Sequence, residues 1–499
     1  MLGFSGGRGK VAPVGRVVSA AGLARVDPRL LREHWALALV LALAAALRVA
    51  VAVAYRPALF FIGDSWGYLE RAYDHKFVGF GVGQPSGYAV VIELLSYVTH
   101  DLTAITVLQH VVGLATGVLV YALSRKLEVP HLLAAAAAAI VLLDSYTLAL
   151  EQHVLSESVF ALCLLVSAYL AVVARGPAAL AASGLVLGGA ATIRVVALFA
   201  IPVWLAYVVW RHRSWAAVAS AVVAVALPVV AYTAIHAGRG HGFSWTQFEG
   251  YVLYGRVARI ADCSGAEIPS ETRRLCEDDD ERLERLRAGW EPSTYVFNPD
   301  SPARRAFPVF PSTEVNRRLR TFALAIIRAH PWDYLRTVSV EFLAYFRPDR
   351  SVPKSAVLLP DREVPHEALV NESVDRHFPD YEQRLHPPAR FLLRYQDVVH
   401  VSPVLLALLV FASVASVAVA AASRTVTLPY QAEAVFLAGT ALTLSFAAVA
   451  TVELTLRFLI PTLPLLVCGG AVALASLARA APGAAHVLPA GWRTGHLHR

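Results

Sequence analysis

Runs of about 20 apolar residues recur between residues 34 and 478, and they restrict the fold of this 499-residue chain more than any other feature. A bilayer core is about 30 Å thick and offers backbone groups no hydrogen-bond partner, so a run that crosses it does so as a helix. The runs fit spans at about 34–54, 102–124, 131–150, 157–174, 178–193, 195–210, 214–235, 400–422, 429–451 and 457–478. The sequence therefore predicts an all-α polytopic membrane protein with about ten transmembrane helices. With 57% hydrophobic and 16% charged residues, a disordered chain, a disulfide-rich secreted scaffold and a soluble enzyme with one tail anchor are excluded.

Charge placement gives the orientation. Arg8, Lys10, Arg16, Arg25, Arg29 and Arg32 precede the first run, so residues 1–33 read as a basic cytoplasmic arm. No small-residue cleavage site follows a short apolar core, and a cleaved signal peptide is not expected. An even span count puts both termini on one side and makes 479–499 a cytoplasmic tail. The turns that then fall inside carry Arg125-Lys126, Arg175, Arg211-His212-Arg213, Arg424 and Arg479, as the positive-inside rule requires. The 178–210 region stays open between one bent span and two short ones; a single span would move every later loop to the other side. The net charge of +7 fits orientation and lipid contact, not nucleic-acid binding.

Two segments break the apolar pattern. Residues 55–101 form a long outer loop within an N-terminal transmembrane module, 34–235. Residues 236–399 form an extracytoplasmic insertion with about half of all the charges and both signs mixed, the composition of a folded aqueous unit. Within it, 315–347 reads as an amphipathic helix broken at Pro331 and lying along the interface. C-terminal transmembrane helices follow at 400–478. Cys263 and Cys276 both lie in the insertion, where an oxidising compartment would join them. Cys163 and Cys468 fall inside spans and read as packing residues.

No phosphate-binding glycine loop, HExxH or CxxC is present. Asp278-Asp279-Asp280 reads as a solvated helix start. Asp64, in FIGDSWGYLERA, is the most informative carboxylate. An acid among Phe60, Phe61, Ile62 and Trp66 near the membrane boundary is costly unless paired or used. It suits a general base for an acceptor hydroxyl, or equally an N-cap for a helix beginning at Ser65. Glu151, His153 and Glu157 share the short turn in LALEQHVLSESVF. They can bind a cation or a sugar, or serve as turn and helix-dipole residues. Arg194 interrupts GLVLGGAATIRVVAL on the outer side, where it either snorkels or meets a phosphate. Glu453 and Arg457, in TVELTLRFLIPTLPLL, are a boundary pair that an i, i+4 salt bridge would also explain.

Taken in chain order, these motifs resemble the GT-C superfamily of membrane glycosyltransferases, which use sugars carried on polyprenyl phosphate. GDSWGYLERA, QPSGYAVVIELL and TVLQHVVGLATGVLVYALSRKL are similar to the family's first outer loop and following helix. LSESVF, GLVLGGAATIRVVAL, AHPWDYLRTVSVEFLAYF and ELTLRFLIPTLPLL resemble its later landmarks, and LYGRVARIADC is similar to segments of actinobacterial members of open substrate. The resemblance implies a GT-C-like helical fold with Asp64 as the catalytic acid of the first outer loop. It implies that Glu157 and Arg194 hold the donor or a divalent cation, Mg or Mn, and that Arg457 meets the lipid phosphate. Glu151, His153 and Glu453 remain candidate acceptor or metal contacts. The acidic pair of protein O-mannosyltransferases is reduced here to Asp64 followed by Ser65, which argues against protein O-mannosylation. The expected partners are a polyprenyl-phosphate-linked sugar, a glycan or lipid acceptor and membrane lipids, at the outer face of a bacterial inner membrane. The expected reaction is transfer with inversion; a transporter or flippase of a lipid-linked glycan is the alternative, and a non-catalytic envelope scaffold a third class.

Overall fold

In a computed structural model, residues 28–74, 83–212, 214–241, 245–354, 356–422 and 428–480 are described. The expectations for the basic arm up to residue 27, for Arg213 and Arg424, and for most of the tail lie outside them. About 74% of the described residues are helical, and strand is nearly absent among them. The N-terminal module holds α1 (Pro28–Ala54), α2 (Asp64–Tyr73), α3 (Gly87–Ser96), α4 (Leu102–Lys126), α5 (His131–Leu142), α6 (Ser145–Gln152), α7 (Glu157–Val173), α8 (Pro177–Ile193), α9 (Ala200–Arg211) and α10 (Trp215–His236). The insertion holds α11 (Glu249–Ala258), α12 (Asp279–Arg287), α13 (Pro292–Phe297), α14 (Pro302–Ala306), α15 (Thr313–Ala329), α16 (Pro331–Ala344), α17 (His366–Leu369), α18 (Glu372–His377) and α19 (Pro388–Val398). It is followed by α20 (Pro403–Ala422), α21 (Gln431–Thr451), α22 (Leu456–Leu459) and α23 (Leu463–Ala480).

Among the described residues, six helices are long and apolar enough to cross a membrane: Glu33–Ala54, Leu102–Lys126, Trp215–Arg239, Pro403–Ala422, Gln431–Thr451 and Leu456–Ala480. The chain is thus a helical membrane protein. The run at 131–150 is not one straight helix: α5 and α6 meet at a bend of 48°. Asp144 sits at the break, where its carboxylate accepts from the Thr147 N–H at 2.7 Å and the Val401 N–H at 2.7 Å. It caps α6 and ties it to the start of α20. At 178–210 the chain forms two short helices. α8 ends at Ile193, Arg194 is extended (φ −144°, ψ 121°), and one 3-10 turn, Val195–Phe199, leads into α9.

Close packing in the module relies on missing side chains. A Cβ on Gly184 would lie 2.5 Å from the Ala221 carbonyl, and one on Gly188 2.4 Å from that of Val225. The spacing of four therefore gives α8 a smooth stripe against which the α10 backbone seats.

The insertion divides in two. α11 to α15 close around a small core of Tyr254, Val257, Tyr295, Leu319, Phe322 and Ile326. A Cys263–Cys276 disulfide pins its first loop. The amphipathic segment breaks where proline predicts, with α15 ending at Ala329 and α16 starting at Pro331. The second half is a strap that returns over the segment between α1 and α3. Its strand β2 (Arg384–Leu385) pairs antiparallel with β1 (Tyr55–Arg56). Trp66 donates its indole N–H to the Leu369 carbonyl at 2.7 Å, and Asp74 accepts from His377 at 2.6 Å and from Ser373 at 3.1 Å. Tyr381 stacks on Phe60 with ring centroids 4.2 Å apart. The strap and α2 therefore behave as one layer.

Candidate functional site

The segment between α1 and α2 is fixed beside the turn at 151–156 by backbone bonds. Leu59 donates to the Gln152 carbonyl at 3.0 Å and accepts from the Val154 N–H at 2.9 Å. Two residues past this bridge, Phe61 donates to the Ser65 hydroxyl, which in turn donates to the Val154 carbonyl at 3.0 Å. Gly63, at φ +89°, makes the turn that starts α2, a conformation that costs other residues energy. α2 begins at Asp64 itself with no side-chain cap, so the N-cap explanation of this acid does not hold. The hydroxyl of Tyr68, one turn on, donates to Ser156 at 3.1 Å.

These constraints aim Asp64 at residues from three other parts of the chain. Its Oδ2 accepts from Arg457 Nη2 at 2.5 Å. Arg457 Nε donates to Glu157 Oε1 at 2.5 Å, and Arg194 Nη1 donates to the same oxygen at 2.6 Å. Arg194 also reaches the Ser156 hydroxyl at 3.3 Å. Asp64, Arg457, Glu157 and Arg194 thus form one continuous ionic chain, with side-chain exposures of 28%, 6%, 1% and 15%. Its two ends are accessible and its middle is buried.

Each arginine is there for a local reason. The break after α8 leaves Arg194 extended, so its side chain departs from the helix surface, with the guanidinium 5.3 Å from the Phe458 ring centroid. Arg457 is the second residue of α22, just past Thr455, whose hydroxyl accepts the Arg457 N–H and whose carbonyl accepts from the Tyr345 hydroxyl at 2.7 Å. Because 453–455 is not helical, Glu453 and Arg457 are not an i, i+4 pair. Glu453 instead accepts from the Ser293 N–H at 3.3 Å. Burial raises its carboxyl above the ordinary range, and the nearby charge of Glu291 adds to this.

Glu151 and His153 lie nearby in other roles. Glu151 is consumed by Arg48 Nη2 at 2.7 Å and His110 Nδ1 at 2.9 Å, and it is 1% exposed. This second ion cluster locks α1, α4 and α6 together. His153 donates its Nδ1–H to the Ala149 carbonyl at 2.8 Å, and burial pushes its pKa down to about 4. It is a neutral turn residue.

Between α4, α6, α7 and the start of α23 lies a small, mainly apolar cleft of about 30 Å³, lined by Gly113, Thr116, Leu150, Ser158, Ile460 and Pro461. Glu157 also lines it. Its Oε1 holds both arginines, while its buried Oε2 has no hydrogen-bond partner among the described residues. A buried carboxylate oxygen without a partner, on a residue that lines a cleft, still has capacity for a hydrogen-bond donor.

As a divalent-cation site the residues fit poorly. Among the described residues no three His, Cys, Asp or Glu side chains converge, and arginines already engage both carboxylates. The chemistry this arrangement suits is anion capture by two guanidiniums beside a proton-accepting carboxylate.

Sequence reasoning missed three participants. Arg71, 3% exposed, and Gln84 stand behind Asp64. Arg48, also 3% exposed, neutralises Glu151. Arg48 left a signal, since a charge in the middle of an apolar run requires an internal partner. Arg71 left a weaker one: at i+7 from Asp64 it lies on the same face of a ten-residue helix. Comparison with known proteins adds nothing to the geometry: no family model, curated protein or solved structure matches the chain.

Proposed function

We propose that the chain is a membrane glycosyltransferase of the GT-C type, moving a sugar from polyprenyl phosphate to an acceptor hydroxyl on the outer face. The observation that carries the proposal is the Asp64–Arg457–Glu157–Arg194 chain, which joins four segments up to 393 residues apart in sequence. A structural ion pair needs two members. This one alternates two acids and two arginines, runs from a partly open acid to a partly open arginine, and borders an apolar cleft. A lipid-linked phosphate needs cations for its charge and an apolar flank, and this chain offers both.

In this mechanism the donor phosphate takes a place at Arg194 and Arg457, displacing Asp64 from Arg457. The released carboxylate accepts the proton of the acceptor hydroxyl as that oxygen attacks the anomeric carbon. The bond to the phosphate oxygen breaks on the opposite face, and the two guanidiniums hold the departing charge. One displacement inverts the anomeric centre. No step is routed through a metal.

The proposed topology has ten spans: the six long helices, the bent α5–α6 pair, and the short helices α7, α8 and α9. Both termini are then cytoplasmic, and α2, the strap and the ionic chain lie on the extracytoplasmic side of a bacterial inner membrane. Incubating the purified protein with polyprenyl-phosphate-linked mannose or arabinose and glycan acceptors tests the function. The transferase reading requires release of polyprenyl phosphate. Movement of intact lipid-linked sugar across vesicles without cleavage would instead identify a flippase.

A further inference from the structure

Asp64 has a second neighbour besides Arg457. Gln84 Nε2 donates to Asp64 Oδ1 at 2.5 Å. The orientation of that amide is set from behind. Arg71 donates Nη2 to Gln84 Oε1 at 2.9 Å, Nη1 to the Gln84 carbonyl at 2.5 Å, and Nε to the Gly67 carbonyl at 2.7 Å. A guanidinium has donors only, so Gln84 must turn its oxygen to Arg71 and its NH2 to Asp64. The loop cannot easily shift, because the Ser86 N–H bonds Tyr232 on α10 and Gly87 sits tight against the Thr192 backbone. Gly67 leaves the room required: a Cβ there would lie 2.6 Å from Gln84 Oε1.

We propose that Gln84, pinned by Arg71 and accommodated by Gly67, is a positioning residue that keeps Asp64 oriented as a proton acceptor. The inference rests on the reading of Asp64 as the base and names what supports that base during turnover. In the resting site both carboxylate oxygens accept N–H donors, so a proton on either one would face another hydrogen. Once the donor phosphate takes Arg457, Gln84 is the contact that still fixes the carboxylate. The charged and titratable groups around Asp64 are Arg457 on α22 and Glu157 on α7 with Arg194 beyond it, while Tyr232 on α10 meets the Ser86 end of the loop. Tyr68, Glu70 and Arg71 lie on its own helix, and Arg376 and His377 meet that helix at Asp74. Substitution at Gln84 leaves all of these in place.

The test is the pH titration of the Asp64 carboxyl, followed by infrared difference spectroscopy on the purified protein and identified as the band lost in Asp64→Asn. Gln84→Glu places a second carboxylate against the first, and although Arg71 pairs with it, its repulsion and the lost N–H donor disfavour the ionised form of Asp64. Its protonation midpoint should rise by about one pH unit or more relative to the Asp64 band of the unsubstituted protein. Gly67→Ala, which displaces the amide without adding charge, should move the midpoint in the same direction by less. It carries the test if Gln84→Glu does not fold. In transfer from polyprenyl-phosphate-linked mannose or arabinose, the acid limb of the Gln84→Glu pH profile should shift by the same amount, with kcat falling more than KM changes. An Asp64 band that titrates as in the unsubstituted protein overturns the proposal. A shifted band with no release of polyprenyl phosphate by the unsubstituted protein leaves the positioning role intact and removes the transferase reading.

Discussion

Replacing Glu157 by Gln keeps the size of the side chain and removes the charge shared by two arginines. Two N···O contacts at 2.5 and 2.6 Å are weakened together, at a residue 1% exposed. Charge centres about 4 Å apart attract by about 4 kcal/mol per pair at an effective dielectric of 20. Against this stand the desolvation cost of the carboxylate and the mutual repulsion of the arginines. Because Asp64 still pairs Arg457, the net loss should approximate that of breaking one buried ion pair, about 3–5 kcal/mol. Chemical unfolding in detergent measures it directly. Arg194→Met should recover part of the loss when combined with Glu157→Gln, and the double-mutant cycle should return a coupling of about 1–3 kcal/mol. If Glu157→Gln unfolds within about 0.5 kcal/mol of the unsubstituted protein, the ionic chain is not the energetic centre of the site and the reasoning fails.

Four further outcomes follow from the structure. Gly113→Ala, although favoured by helix propensity by about 1 kcal/mol, should lower the unfolding midpoint, because its Cβ would lie 1.8 Å from Glu151 Oε1 and displaces that carboxylate from Arg48. Gly189→Ala, where a Cβ meets nothing within 4 Å, should be neutral or stabilising in the same assay. Replacing Cys263 and Cys276 by Ser opens a loop with a sequence separation of 13 and should cost about 3 kcal/mol, seen as faster hydrogen exchange across α11 to α15. Glu453 binds its proton more tightly folded than unfolded, so its contribution to stability is fully present below the unfolded carboxylate pKa and lost as pH rises through the folded value. Glu453→Gln should therefore stabilise the protein at neutral pH and do so less in mild acid, a difference that unfolding midpoints at the two pH values will resolve.

Helices were legible where the signal was length and apolarity, because lipid permits few alternatives for such runs. Breaks inside those runs were harder. Asp144 interrupts 131–150 by capping a new turn, yet in the sequence it is one acid at the end of a long alanine-rich stretch. The four members of the ionic chain could each be singled out, since a charge at an apolar boundary needs an explanation. Their mutual contact could not be read, because it depends on the Leu59–Val154 bridge and the extended backbone at Arg194. The same limit applies to Glu151, whose partners Arg48 and His110 come from two other helices. Gln84 carried no signal of its own: an uncharged amide in a loop gains meaning only when Arg71 and Asp64 stand on either side of it.

The proposed chemistry depends on Asp64 accepting a proton at a site where arginines hold a lipid-linked phosphate. Polyprenyl phosphate released by purified Asp64→Asn, compared with the unsubstituted protein at equal amounts of folded material, tests this most directly. Loss of release with retained binding of the lipid-linked sugar is the predicted result. Release at a rate near that of the unsubstituted protein would contradict it.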